Sequence, residues 1–473
     1  MKYFYLILLS TLSLIACKEG SNECDGDIAF IGGEIINPID NFVVILKANH
    51  IIDTIKLDNN NRFIYKVTQL KPSLYTFKHG REVQMVLLEP NDSVLFRLNT
   101  KEFDESLVFT GKGAKKNNYL INRFLESENE KKEILRISQA SPQEFEFKLD
   151  SLKAFKITKL KTLNNKYSFS PLFNEIAEAN INYNYYTSKE VYPFVYYRKN
   201  ERKTLESLPK GFYSYRNTIN YNNINVVDYF PYYQFLEAHF ENLALSEHFK
   251  KSSDNAYNQA SLSYTIRKLN LIDSLVTNEH LKNYLLSNSV FKFINATKKE
   301  GDYDIVLQSF KSKSTSDYHK EHFTKLINSL KHLKSGSKIP EITISDFNDT
   351  KSSLKSIIYK PTVIFFWNYT NKGHFKNSHF KAKELRKKYP EIDFIAININ
   401  SDNKKLWKKN LRQYGYETSN EYQFINPKKA KLKLAINPIN KVILVNKYGK
   451  IINSNTNMFS IYFEEQLLGM INK

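Results

Sequence analysis

Few residues of this 473-residue chain have the type and spacing that chemistry requires. Asn371 and His374 stand three apart in Lys360-Pro-Thr-Val-Ile-Phe-Phe-Trp-Asn-Tyr-Thr-Asn-Lys-Gly-His374. An imidazole can act as a base or take charge from a helix N-terminus, but it needs a nucleophile beside it to activate. An Asn carboxamide has no ionisable proton and no useful nucleophilicity. His319-Lys-Glu-His322 puts two imidazoles on one helix face. With no third ligand at matching spacing, and without the His-Glu-x-x-His order of metalloproteases, the pair reads as a solvated helix face and no metal is expected. His374 with His379 reads the same way, with more interest because of the loop His374 occupies. The two cysteines, Cys17 and Cys24, both lie near the N-terminus. Tyr183-Asn-Tyr-Tyr186, Tyr192-Pro-Phe-Val-Tyr-Tyr197 and Tyr229-Phe-Pro-Tyr-Tyr233 cluster aromatics near Asn, as a carbohydrate or peptide platform would. The same rings also suit a helical core in a chain biased toward Lys, Asn, Ile and Tyr.

The elements around Asn371 and His374 follow from pattern. Pro361 to Trp367 is an almost unbroken apolar and β-branched run, which suits a strand buried on both faces of a sheet. A polar loop follows, and from Phe375 to Tyr389 the chain is Lys-rich with spaced apolar residues, the pattern of an exposed helix. This strand, loop and helix resemble the active-site segment of the TlpA-type thioredoxin-like lipoproteins, in which a buried strand runs into Phe-Trp-Ala-x-Trp-Cys-x-x-Cys at a helix N-terminus. Phe366 and Trp367 match that pattern, and Asn371 and His374 stand where the resemblance places the two cysteines.

Thiol-disulfide exchange needs a low-pKa thiolate as nucleophile and a second thiol to resolve the mixed disulfide. Neither Asn371 nor His374 supplies one, and with only Cys17 and Cys24 in the chain no cysteine elsewhere in this region substitutes. A peroxidase of the same fold is excluded by the same count.

The resemblance extends along the C-terminal third. Ser335-Gly-Ser-Lys-Ile-Pro340 marks a boundary, Ile339 to Asp346 reads as an entering strand, and Ser352-Ser-Leu-Lys355 as a short second element. Ile392 to Ile399 is a second buried strand, and Trp407 sits in a helix from Asn403 to Tyr414. Lys441 to Asn446 and Lys450 to Asn453 form a hairpin with Gly449 in its turn, followed by a helix from about Phe459 to Ile471. Thioredoxin-like proteins place a cis-proline opposite the Cys-x-x-Cys. Counting back from Asn446, that position is Asn440, expected to be trans because a cis bond before a non-proline residue costs ~2.5–4 kcal/mol. Pro438 serves instead if the loop is longer.

At the other end, Lys2 precedes an apolar run from Tyr3 to Ile15, too short for a membrane-spanning helix of ~20 residues and fitting a signal-peptide core. Leu14-Ile15-Ala16-Cys17 resembles a bacterial lipobox, which implies cleavage before Cys17 and lipid on its sulfur and amino group, holding an exported protein to a membrane. Cys24 is then alone in a polar tether, a free thiol or an intermolecular partner.

From Ile28 to about Phe109, short alternating segments separated by turn residues such as Asp58-Asn-Asn-Asn and Glu89-Pro-Asn-Asp predict a small β-sandwich. It is similar to the N-terminal sandwich of Bacteroidetes-type lipoproteins that carry thioredoxin-like domains, with Phe109-Thr-Gly-Lys-Gly-Ala114 and Asn117-Asn-Tyr-Leu120 as its exit into a helix. Lys115 to about Leu333 is mostly helical by period, through segments such as 118–128, 142–163, 261–276 and 280–293. The formal charge is +20, and Lys338 to Lys473 alone holds 24 Lys or Arg against 11 Asp or Glu. In an exported protein that balance points to anionic lipid headgroups or glycans rather than nucleic acid.

The expected architecture is multidomain α+β: lipoprotein signal peptide 1–16, tether 17–27, β-sandwich 28–112, helical region 113–334 and α/β thioredoxin-like domain 335–473. The expected function is that of a redox-inactive envelope lipoprotein, a binding or adaptor protein facing periplasm or cell surface. It would be anchored through Cys17, bind an envelope protein, peptide or glycan, and use no cofactor. Candidate binding residues are Trp367, Tyr369, His374, Lys387 and Lys388. The competing reading is a thiol-disulfide oxidoreductase of envelope redox homeostasis.

Overall fold

Alternation of apolar and polar residues builds the first part of the molecule. In the computed structural model, which describes residues 28–48, 50–197, 200–297, 299–400 and 404–472, strands β1 (Ala29–Ile36), β2 (Phe42–Lys47), β3 (His50–Lys56), β4 (Arg62–Val67), β5 (Ser73–His79), β6 (Glu82–Leu88), β7 (Ser93–Asn99) and β8 (Val108–Lys112) come first. Cys17 and Cys24, with the signal segment and tether, lie outside the described residues. The strands form two four-stranded sheets, ordered β4-β1-β7-β8 and β3-β2-β5-β6, antiparallel except for the β1 and β7 pair. One face of each sheet is buried: Val94, Phe96 and Leu98 of β7 point inward while Ser93, Leu95 and Arg97 point out. Phe77 from one sheet stacks on Phe96 from the other at 4.4 Å. Gly33 is required there, since a Cβ would lie 2.6 Å from the Phe96 carbonyl oxygen and 2.7 Å from its ring.

The described residues divide into two compact units, one within Met1–Asn258 and Asn270–Leu285, the other within Gln259–Leu269 and Leu286–Lys473. The first contains the sandwich and helices α1 (Ala114–Ile137), α2 (Pro142–Tyr167), α3 (Pro171–Val195), α4 (Glu201–Glu206) and α5 (Phe230–Phe249). Two neighbouring asparagines fasten α1 to the strands. Asn117 accepts the Leu87 N–H at 2.7 Å and donates to the Leu87 carbonyl at 3.0 Å, and Asn118 holds both backbone groups of Phe109 at 2.9 and 2.8 Å. Rings of the Tyr-rich segments fill the layer between α3 and α5: Tyr183 lies 4.8 Å from Tyr232 and 5.2 Å from Phe235, Tyr186 stacks on Tyr215 at 4.1 Å, and Tyr192 and Tyr232 are wholly buried. These rings are core, the second of the two readings the sequence allowed.

Helices α6 (Leu262–Leu275), α7 (Glu279–Ala296), α8 (Glu300–Lys313) and α9 (Asp317–His332) follow, and then strands β9 (Thr343–Asp346), β10 (Lys351–Ser353), β11 (Thr362–Trp367), β12 (Asp393–Asn398), β13 (Glu421–Phe424), β14 (Val442–Val445) and β15 (Ile451–Thr456). They make one sheet in the order β10-β9-β13-β12-β11-β14-β15. β11 is central, buried along its whole length, parallel to β12 and antiparallel to β14. Helix α10 (Lys372–Lys388) connects β11 to β12, α11 (Lys404–Gln413) connects β12 to β13, α12 (Pro427–Lys433) precedes β14, and α13 (Phe463–Ile471) closes the chain. α10 starts three residues before the expected Phe375 because Asn371 caps it. α13 starts at Phe463, later than expected from about Phe459, because Asn457 and Ser460 hold that stretch in turns. Among the described residues no helix is long and apolar enough to cross a membrane.

Asn117→Ala would leave the buried Leu87 N–H and carbonyl without their partner, at a cost of about 2–4 kcal/mol to the first unit. Urea unfolding of the variant checks this, and a loss under ~1 kcal/mol would contradict the pinning role.

Candidate functional site

The candidate site is where β11 ends and α10 begins. Asn368, the first residue past β11, accepts the Asn371 N–H at 2.6 Å and the Thr370 hydroxyl at 2.9 Å, and Tyr369 N–H is held by Asn400 at 3.1 Å. Asn371 then serves as the N-cap of α10, its side chain accepting the His374 N–H at 3.0 Å. Asn is among the best residues for this task, which makes Asn371 a structural cap with no reactive group. His374 sits in the first turn, half-buried, its ring 6.5 Å edge-on to Phe459. Burial, and then the neighbouring His379, push its pKa below the ordinary imidazole value. Its Nδ1 is buried without a hydrogen-bond partner.

Behind this loop lies a buried polar cluster that ties three elements. Glu421, the first residue of β13, accepts the Trp367 indole N–H at 3.1 Å on Oε2 and faces His379 Nε2 at 2.9 Å with Oε1. His379 Nδ1 lies 2.7 Å from the Phe375 carbonyl, which can only accept, so Nδ1 carries a hydrogen. Nε2 and Oε1 therefore share one further proton. Burial pushes the Glu421 pKa up, against the hydrogen bonds from His379 and Trp367. His379 also stacks on Tyr416 at 4.5 Å, and Trp367 lies 4.6 Å from Phe375.

The third edge of the site is the segment before β14. Val442 pairs with Phe365, so the residues preceding it run along the end of β11 where the loop to α10 begins. A cis peptide joins Asn437 to Pro438, the second of the two positions the sequence offered for that feature. Lys441 is buried, donates Nζ to the Ala435 carbonyl at 3.0 Å, and has its pKa lowered to about 7 by burial.

Several expected site residues are placed differently. Trp367 has no exposed surface and Tyr369 is buried, so neither is a contact residue for a partner; their large rings belong to the core under the loop. Lys387 and Lys388 lie in the last turn of the 17-residue α10, ~25 Å from Asn371 at 1.5 Å per residue. The structure does not bring them to His374. Lys388 instead pairs with Glu464, which also accepts the Tyr389 hydroxyl at 2.8 Å. His379 is buried, contrary to the solvated face expected from the Lys-rich helix. Of the expected residues, Asn371 and His374 stand together at the head of α10.

Glu421, His379 as its partner, and Lys441 went unnoticed in the sequence. A Glu at the start of a short alternating strand and a Lys at the start of an apolar one look like ordinary edges; the weak signal was a second His five residues after His374. A comparable cluster lies in the first unit. Glu190 of α3 is fully buried and bonded by His239 Nδ1 at 2.6 Å, the Tyr215 hydroxyl at 2.8 Å and Arg216, while Tyr221 meets His239 Nε2 at 2.8 Å. Burial opposes the Glu190 charge, but His239 and Arg216 outweigh it and hold its pKa below the usual carboxylate range. Glu190 and His239 are saturated by bonds within the unit, so the cluster joins α3 to α5.

Strand order, the β11-loop-α10 unit and the hairpin β14-β15 make the second unit's sheet thioredoxin-like. No family model matches the sequence, and no curated protein matches it. Solved structures with similarity include the thioredoxin domain of a thiol-disulfide oxidoreductase from Bacteroides vulgatus, at 18% identity over 29% of this chain and 98% of that one, TM-score 0.25. A thiol:disulfide interchange protein from Bacteroides sp. aligns at 16% identity over 30% and 93%, TM-score 0.26. A thioredoxin-like protein from Bacteroides caccae aligns at 13% identity over 56% and 93%, TM-score 0.33.

Because folding raises the pKa of Glu421, the folded unit keeps a proton that the unfolded chain releases. That stabilisation is fully present below about pH 4.3 and is lost as the pH rises through the raised folded pKa. Glu421→Gln has no carboxyl to titrate, and its amide can donate to His379 Nε2 and accept from the Trp367 indole. Unfolding followed across pH should show wild type losing stability relative to Glu421→Gln, at up to about 1.4 kcal/mol per pH unit. Parallel curves would refute the shared proton.

Proposed function

We propose that this chain is a redox-inactive thioredoxin-like lipoprotein of a bacterial envelope, lipid-anchored at Cys17, that binds an envelope protein, peptide or glycan. The observation that carries the reading is the occupancy of the loop: Asn371 caps α10 and His374 follows it, where exchange chemistry needs a nucleophilic and a resolving thiol. Cys17 and Cys24 are the only cysteines in the sequence. The exposed first residues of α10, Lys372 and Gly373, the half-buried His374 and the exposed Pro438 remain as surface for a ligand. Thiol-disulfide oxidoreductase is the second reading, the activity named for solved structures similar to the second unit.

Insulin reduction by the purified full chain with dithiothreitol separates the two. The expected result is no turnover above the reductant alone, for wild type and Cys24→Ser alike; turnover in wild type that Cys24→Ser abolishes would establish the oxidoreductase.

A further inference from the structure

The outer face of the β4-β1-β7-β8 sheet carries an arrangement that the packing of the sandwich does not use. Register sets its rows. Ile64, Gly32, Leu95 and Thr110 lie side by side, with Arg62, Glu34, Arg97 and Val108 on one side and Lys66, Phe30, Ser93 and Lys112 on the other. Ile64, Leu95 and Val108 are 64%, 40% and 54% exposed, an apolar centre where alternation would put polar residues. Gly32 lowers the floor between Ile64 and Leu95, and a Cβ there would lie 2.7 Å from the Phe63 carbonyl oxygen. A shallow groove of ≈ 700 Å³ lies against Ile64, Leu95 and Val108, with Glu34, Arg62 and Arg97 in its lining.

Charge and position say what meets this face. Two arginines bracket Glu34, Arg62 at 3.0 Å and Arg97 at 3.9 Å, and with Lys112 the described rim sets three cations against the Glu34 carboxylate. β1 is the first described strand, starting twelve residues after Cys17, which is ~40 Å of fully extended chain. An apolar centre with a basic rim matches the interfacial region of a bilayer bearing anionic headgroups, where large side chains bury and Lys and Arg meet phosphate. We propose that this sheet face docks on an anionic lipid membrane surface. The placement near a membrane rests on the anchor reading of Cys17, while the affinity of the face for lipid is a property of the sandwich itself.

The test uses the full chain carrying Cys17→Ala, so that no acyl group contributes, sedimented with vesicles of phosphatidylcholine alone or of phosphatidylcholine with phosphatidylglycerol. Each basic group near such a surface strengthens binding roughly fivefold. Arg97→Gln/Lys112→Gln should weaken partition into the anionic vesicles by about 25-fold, Arg97→Glu/Lys112→Glu should weaken it further, and added salt should reduce wild-type binding. Both positions are exposed, so the variants should keep the wild-type unfolding curve. The apolar segment from Tyr3 to Ile15 is common to all of them and cancels. Equal partition of wild type and charge-reversed chain, or no preference of wild type for anionic vesicles, would overturn the proposal and leave the face to an acidic protein. Intact mass of the wild-type chain from membranes reads Cys17 separately: an unmodified Cys17 alongside charge-dependent vesicle binding removes the anchor and keeps the face.

Discussion

A carboxyl group taken out of water has to be answered by donors that stay in place, and Glu421 meets that demand with one residue from each of two other elements. Trp367 closes the central strand β11, His379 belongs to helix α10, and Glu421 begins β13. The contact fixes where β11 ends relative to α10, and so fixes the loop between them. Removing one partner would leave a buried polar group unpaired, the costly case for such clusters. The loop around Asn371 and His374 is therefore a defined surface, held from beneath by hydrogen bonds.

The first unit applies the same device to a different problem. Glu190 joins α3, α5 and the turn at Tyr215 and Arg216, while Asn117 and Asn118 fasten α1 to two strands. Apolar periodicity sets which face of a helix or strand goes inside, but it permits sliding along that face. Buried polar groups with directional partners set the register between elements of different type. Rings of the Tyr-rich stretches fill space these contacts leave, Tyr183 packing on Tyr232 and Tyr186 on Tyr215.

What could be read from the sequence was whatever depends on period and local chemistry. Strand alternation located the sandwich from Ile28 onward, and the apolar run ending at Trp367 located the central strand. Asn371 and His374 were visible as a pair because strand, loop and helix follow one another directly. The long-range partners were not: Glu421 and His379 are 42 positions apart and come together only through the crossover of the sheet. A Lys-rich helix makes any His on it look solvated, and whether a residue such as His379 turns inward depends on the strand it faces. Trp367 and Tyr369 looked available because they flank the loop, but large rings at the end of a central strand are drawn beneath it. Lys387 and Lys388 share a helix with His374, and helical rise puts them at its other end.

We propose that the loop at the head of α10 has the shape that disulfide exchange needs, with Asn371 and His374 where the two thiols would stand. This is tested most directly by placing thiols there, as Asn371→Cys/His374→Cys in a Cys24→Ser background. An N-cap and the third helical residue are close enough for a disulfide when the loop is held as described. The account predicts that the folded double variant oxidises to an internal disulfide and reduces insulin where the parent does not. A variant that folds but remains a dithiol under oxidising conditions would contradict it.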